Sequence, residues 1–187
     1  MKSIFSLVCL CLFFTVQSQK QGESKFPLEG PSDWRKEVLS LPLSFAPELA
    51  YEGTEYVLFA KGWSDQNATD FWTYTFAWVL DESPEFTADI LNIDLKHYFD
   101  GLMTAVSGSE INSTKAQLKA VKNEGFFEGQ VKVFDAFFLK DTKELNVRVQ
   151  PVYCHKAKKH FVYFRFSPKA FDTPLWNTMK MIRIPCE

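Results

Sequence analysis

The twelve residues DFWTYTFAWVLD, Asp70–Asp81, alternate with a period of two and read as one β-strand with two unlike sides. Trp72, Tyr74, Phe76, Trp78 and Leu80 form a large, aromatic side; Phe71, Thr73, Thr75, Ala77 and Val79 form a smaller one. Neither side suits open water, so the fold must provide something to lie against them. An uncovered row of four aromatic rings would be a large apolar patch, which soluble monomers avoid unless it binds something. The ladder is therefore expected to be covered core, with an apolar pocket as the sharper alternative.

Other segments show the same alternation. EVLSLPLSF places Leu39, Leu41, Leu43 and Phe45 on one side, and Pro42 assigns it to a sheet edge because proline has no N–H to donate. GTEYVLFAKGW supplies a second strand before the opening one. FFEGQVKVFDAFFL, KELNVRVQPVYCH and HFVYFRFSP follow with short polar links that suit antiparallel hairpins. STKAQLKAVKNEG is ambiguous: its residues favour a helix, while its position among strands points to a further strand, and the count is six or seven accordingly.

Two helices complete the order. In LNIDLKHYFDGLMTAVSG, residues Leu91, Leu95, Tyr98, Leu102 and Ala105 recur at helical spacing, with Asn92 as a candidate N-cap and Gly108 as the stop. In FDTPLWNTMKMIRIP, Thr173 before Pro174 is a start signal and Pro185 closes the segment. Three strands, a helix, three or four strands and a terminal helix define an α+β fold with a single, mainly antiparallel sheet of six or seven strands. Gly101 and Ala105 give the first helix a small surface, so it is expected to lie close against the small side at Thr73, Thr75 and Ala77. The aromatic side would then face the other way.

The amino terminus bears on compartment. MKSIFSLVCLCLFFTVQSQ has Lys2, an apolar run from Ile4 to Phe14, and Val16 and Ser18 at the small-residue positions before Gln19. This is the grammar of a secretory signal peptide, residues 1–18, cleaved near Ser18. Its run is shorter than the ~20 residues of a spanning helix, and no later stretch is long and apolar enough to span a bilayer. Residues 19–33 follow as a polar lead-in, and 34–187 form a single domain. The chain is expected to be secreted or periplasmic.

Removing the signal takes the formal charge from −2 to −3 and leaves two cysteines, Cys154 and Cys186. In an oxidising compartment they are expected to pair, closing a loop worth about 3 kcal/mol. Charge divides unevenly: residues 46–110 sum to −10 and residues 111–187 to +7. The net charge and the export signal disfavour nucleic acid as a partner.

No nucleophile elbow, HExxH helix or phosphate loop is present, and no cofactor motif. Asp94, His97 and Asp100 lie within reach of one another on one helix, and His155 and His160 flank a lysine-rich hairpin tip beside Cys154; both read better as solvated surface than as metal ligands. The strand-end acids Asp81, Glu82, Glu85, Glu124 and Glu128 support a secreted hydrolase as a competing reading, with no favoured pair. Asn67 and Asn112 open glycosylation triplets in expected loops.

The function read from these residues is binding rather than catalysis. Trp72, Tyr74, Phe76 and Trp78, with Phe134, Phe138 and Phe164 and, further out, Phe127 and Phe166, would line a site for a hydrophobic small molecule or a protein partner's side chains. A structural component of the cell envelope is the third alternative.

Overall fold

The structure, a computed structural model, describes residues 26–82 and 84–186. The expected signal peptide lies outside the described residues. Seven strands and two helices follow in the order β1 (Arg35–Leu41), β2 (Gly53–Phe59), β3 (Tyr74–Leu80), α1 (Ala88–Ser107), β4 (Lys115–Ala120), β5 (Phe127–Phe134), β6 (Thr142–Cys154), β7 (Lys159–Ser167) and α2 (Pro174–Met181). The strands make one antiparallel sheet ordered β1-β2-β3-β7-β6-β5-β4. β1 is an edge strand, and a cis Leu41–Pro42 bond follows directly at its end. STKAQLKAVKNEG supplies the strand β4 at the opposite edge.

Period-two alternation places β3 between two layers. Tyr74, Phe76, Trp78 and Leu80 join one buried cluster with Leu91, Leu95, Tyr98, Phe99 and Met103 of α1. Ala77 belongs to a second cluster, on the other face, with Trp176 and Met179 of α2, Ile182, and Leu28 of the lead-in. The centre of the sheet is thus covered on both faces, which explains why DFWTYTFAWVLD carries no polar side.

The helix expected over the small side lies over the aromatic one. Phe76 stacks on Tyr98 of α1 with ring centroids 5.0 Å apart, and Phe99 meets Phe166 edge-on at 5.4 Å. The small residues answer a different need. Thr75 and Ala77 stand directly opposite Arg165 and Tyr163 of β7, so they make room for large cross-strand neighbours. Gly101 does serve a close approach, but its neighbour is the loop after β1: a Cβ there would sit 1.9 Å from the Phe45 carbonyl oxygen.

Both caps of α1 are well defined. Thr87, not Asn92, is the N-cap, its hydroxyl accepting from Ile90 N at 3.2 Å, while Gly108 ends the helix in the left-handed conformation at φ 70°. Asn92 instead pins α1 to the edge strand, accepting from Leu118 N at 2.7 Å. At α2, Thr173 precedes Pro174 as expected, and the helix ends at Met181, ahead of Pro185.

Cys154, at the end of β6, is disulfide-bonded to Cys186. Among the described residues no helix is long and apolar enough to cross a membrane.

Candidate functional site

The aromatic layer is not filled to its end. Between the β1–β3 face and the carboxyl-terminal half of α1 lies a cavity of about 260 Å³. β1 and β2 supply Leu39, Val57 and Phe59 to its wall; α1 supplies Tyr98, Leu102 and Val106. The loops contribute Phe45, Trp63, Trp72 and Phe137. The back of the cavity is fully buried, with Trp72 at 1 % and Tyr74 at 4 % exposure. At the rim, the Arg35 guanidinium lies 4.5 Å from the Phe59 ring centroid and 5.2 Å from that of Trp63.

The loop walls are held by buried hydrogen bonds. Trp72 lies just outside β3, at φ 58°, and its indole N–H donates to Asp135 Oδ2 at 3.0 Å. Asp135 is itself fully buried and accepts from the backbone N–H groups of Phe137, Phe138 and Leu139, each at 3.0 Å. One carboxylate therefore shapes the DAFFL turn and fixes the tryptophan against it. Trp63 packs into the same corner, 4.7 Å from Phe59 and 5.0 Å from Phe138 between ring centroids.

Glu55 completes the wall without any exposed surface. Its two oxygens accept from Trp78 Nε1 at 2.6 Å and Tyr98 Oη at 3.1 Å. Burial pushes its carboxyl up to about 7, with those two hydrogen bonds opposing the rise and nearby Glu37 adding to it. Burial also holds the Tyr74 and Tyr98 phenols well above their ordinary range, so both stay protonated donors. Tyr98 uses its proton on Glu55. Tyr74 Oη and Trp63 Nε1 are buried with no hydrogen-bond partner.

The residues expected to bind fall into three groups. Trp72 and Tyr74 line the cavity. Phe76, Trp78 and Phe164 are packed in the core behind it, joined by centroid distances of 4.6 Å for Phe76–Phe164 and 4.5 Å for Trp78–Phe164. Phe134 and Phe138, like Phe127, are partly buried against the same cluster, and Phe166 is fully inside it. Glu55, Trp63 and Arg35 belong to the cavity yet were not singled out from the sequence. The available signal was parity: Glu55 shares a strand face with Val57 and Phe59, an unusual place for an acid unless donors await it.

Four of the polar candidates are engaged elsewhere. Asp94 accepts from Tyr51 Oη at 2.7 Å, and Asp100 accepts from the N–H groups of Ser113 and Thr114. Asp81 pairs with Lys159 and Glu128 with Arg148, and none of the strand-end acids lines the cavity. Comparison with family models, with curated proteins and with solved structures finds no match to this chain.

Proposed function

We propose that this protein is an exported binding protein that holds a small apolar molecule in the cavity between β1–β3 and α1. The observation carrying this reading is a cavity of about 260 Å³ walled chiefly by aromatic and aliphatic side chains, in a core otherwise tightly stacked. Apolar walls supply affinity and a few polar groups supply orientation. Trp72 and Tyr74 touch the ligand, and Phe76, Trp78 and Phe164 form the rigid layer that keeps them in place. Phe138 buttresses the mouth through the turn beside Trp63, and Phe134 packs against the same core at the end of β5. Export is supported by the signal-like amino terminus and by the Cys154–Cys186 bond, which suits an oxidising compartment.

The test is direct. Native mass spectrometry of protein purified from its own source is expected to show a retained small-molecule mass, and an environment-sensitive apolar dye is expected to bind. Leu102→Trp, which fills the cavity, should abolish dye binding while leaving the melting transition cooperative. Absence of both retained mass and dye binding, or undiminished dye binding by the Leu102→Trp variant, would overturn the reading.

A further inference from the structure

We infer that the ligand of this cavity is an uncharged molecule bearing a hydrogen-bond acceptor, a carbonyl or hydroxyl oxygen, which takes the hydrogens of Tyr74 Oη and Trp63 Nε1. The inference rests on the cavity being a binding site and names the chemistry that the site reads.

Burying a donor without a partner costs about 1–3 kcal/mol, and native proteins leave few such groups. Here two stand in the wall of one cavity. Loose packing does not account for them, because their aromatic neighbours are each matched to an acceptor. Trp72 has Asp135, and Trp78 and Tyr98 share Glu55. Among the described residues the Thr75 and Thr114 hydroxyls also lack a partner but do not line the cavity, so Tyr74 and Trp63 are the pair that an acceptor inside it would satisfy.

Charge narrows the class further. Glu37 and Glu55 are both in the wall, so an anionic ligand meets two carboxyl groups. Among the described residues Arg35 is the single cation lining the cavity, and it lies exposed at the rim over Phe59 and Trp63. An ammonium matches the pair less well: it can donate to the Tyr74 oxygen, but with no lone pair it cannot accept from Trp63, which stays unmatched. A neutral oxygen acceptor satisfies both donors and offends neither acid. The volume equals that of roughly nine waters of liquid, at about 30 Å³ each, which suits a single substituted ring.

The test compares four ligands of similar shape by methyl NMR titration of the mature chain, with Leu39, Val57, Leu102 and Val106 as reporters. Acetophenone carries the neutral acceptor, isopropylbenzene carries none, benzoate is the anion and α-methylbenzylamine the cation. Acetophenone is expected to bind tighter than isopropylbenzene by about five- to tenfold, the worth of one or two hydrogen bonds. Benzoate and the amine are expected to bind more weakly than acetophenone. Tyr74→Phe removes an unpaired hydroxyl, so the variant should fold, and its acetophenone affinity should drop towards that of isopropylbenzene; Trp63→Phe reports the second donor in the same way. Equal affinity for acetophenone and isopropylbenzene overturns the inference. Preference for the amine or benzoate does so too, as does a preference for acetophenone unmoved by either substitution. Failure of all four ligands to bind overturns the cavity reading beneath it, a distinct result.

Discussion

Tyr98 of α1 donates its phenolic hydrogen to Glu55 of β2 across 3.1 Å, inside a core where both residues are buried. The second oxygen of the same carboxyl takes the indole hydrogen of Trp78 in β3, so one acid joins the helix to two strands.

That acid should make stability depend on pH. Glu55 rises from an ordinary 4.5 to about 7 on folding, chiefly through burial. Between those values the folded chain holds a proton that the unfolded chain has released. The stabilisation is therefore complete below the unfolded value and is lost as pH rises through about 7. The span is on the order of 3 kcal/mol. Asp94 is also raised by burial and acts in the same direction. Urea denaturation at pH 4.5 and 8 should show the wild type weaker at the higher pH, and Glu55→Gln should remove most of the difference while Asp94's share persists. An unchanged slope in the variant would exclude Glu55 as its source.

Gly101 should resist replacement although it lies inside a helix. Alanine there gains about 1 kcal/mol of helix propensity. Its Cβ, however, would sit 1.9 Å from the Phe45 carbonyl oxygen and 3.3 Å from Ala46 Cα, both backbone atoms. Gly101→Ala is expected to destabilise the fold by about 1–3 kcal/mol net. A rise in the denaturation midpoint would show that the loop gives way freely.

Asp135 organises the turn beside the cavity, and its removal should be expensive. Asp135→Ala strands three backbone donors and the Trp72 indole N–H in a buried site. A loss of more than about 3 kcal/mol is expected, with a smaller loss for Asp135→Asn, which keeps one accepting oxygen. Equilibrium unfolding measures the cost. The assigned Trp72 indole N–H resonance of the folded variant checks that the indole has lost its anchor.

The Cys154–Cys186 bond spans 32 residues and ties the segment after α2 to the end of β6. Reduction, or replacement of both cysteines by serine, is expected to cost about 3 kcal/mol, read as a lower urea midpoint. Equal midpoints with and without reductant would contradict this.

The architecture was legible because alternation and helical spacing are local signals. Six of the seven strands, the Gly108 stop and the Thr173–Pro174 start can each be read within a few residues, whereas β4, rich in helix formers, is read only from its place among strands. Which face of β3 receives α1 cannot be. It depends on Arg165 and Tyr163, which lie some 90 residues away and claim the space beside Thr75 and Ala77. The cavity shows the same limit. Trp72 and Tyr74 are visible as part of a ladder, but the gap beside them exists only once α1, the Trp63 loop and the Asp135 turn converge. Glu55 escapes notice because its partners Trp78 and Tyr98 belong to separate elements.

The strand order carries a consequence for how the chain assembles. β1-β2-β3 and β4-β5-β6-β7 are each built from neighbours in sequence, and strand pairing between them is confined to β3 with β7, where Tyr74 meets Phe166 and Leu80 meets His160. Each meander closes through connections of 4 to 14 residues, but that one seam requires closure over 80 residues or more. A nascent chain still lacking β7 would carry β3 as a bare edge with its rings unroofed on one flank. Docking of the two meanders is therefore the step at which this polypeptide is most exposed to self-association.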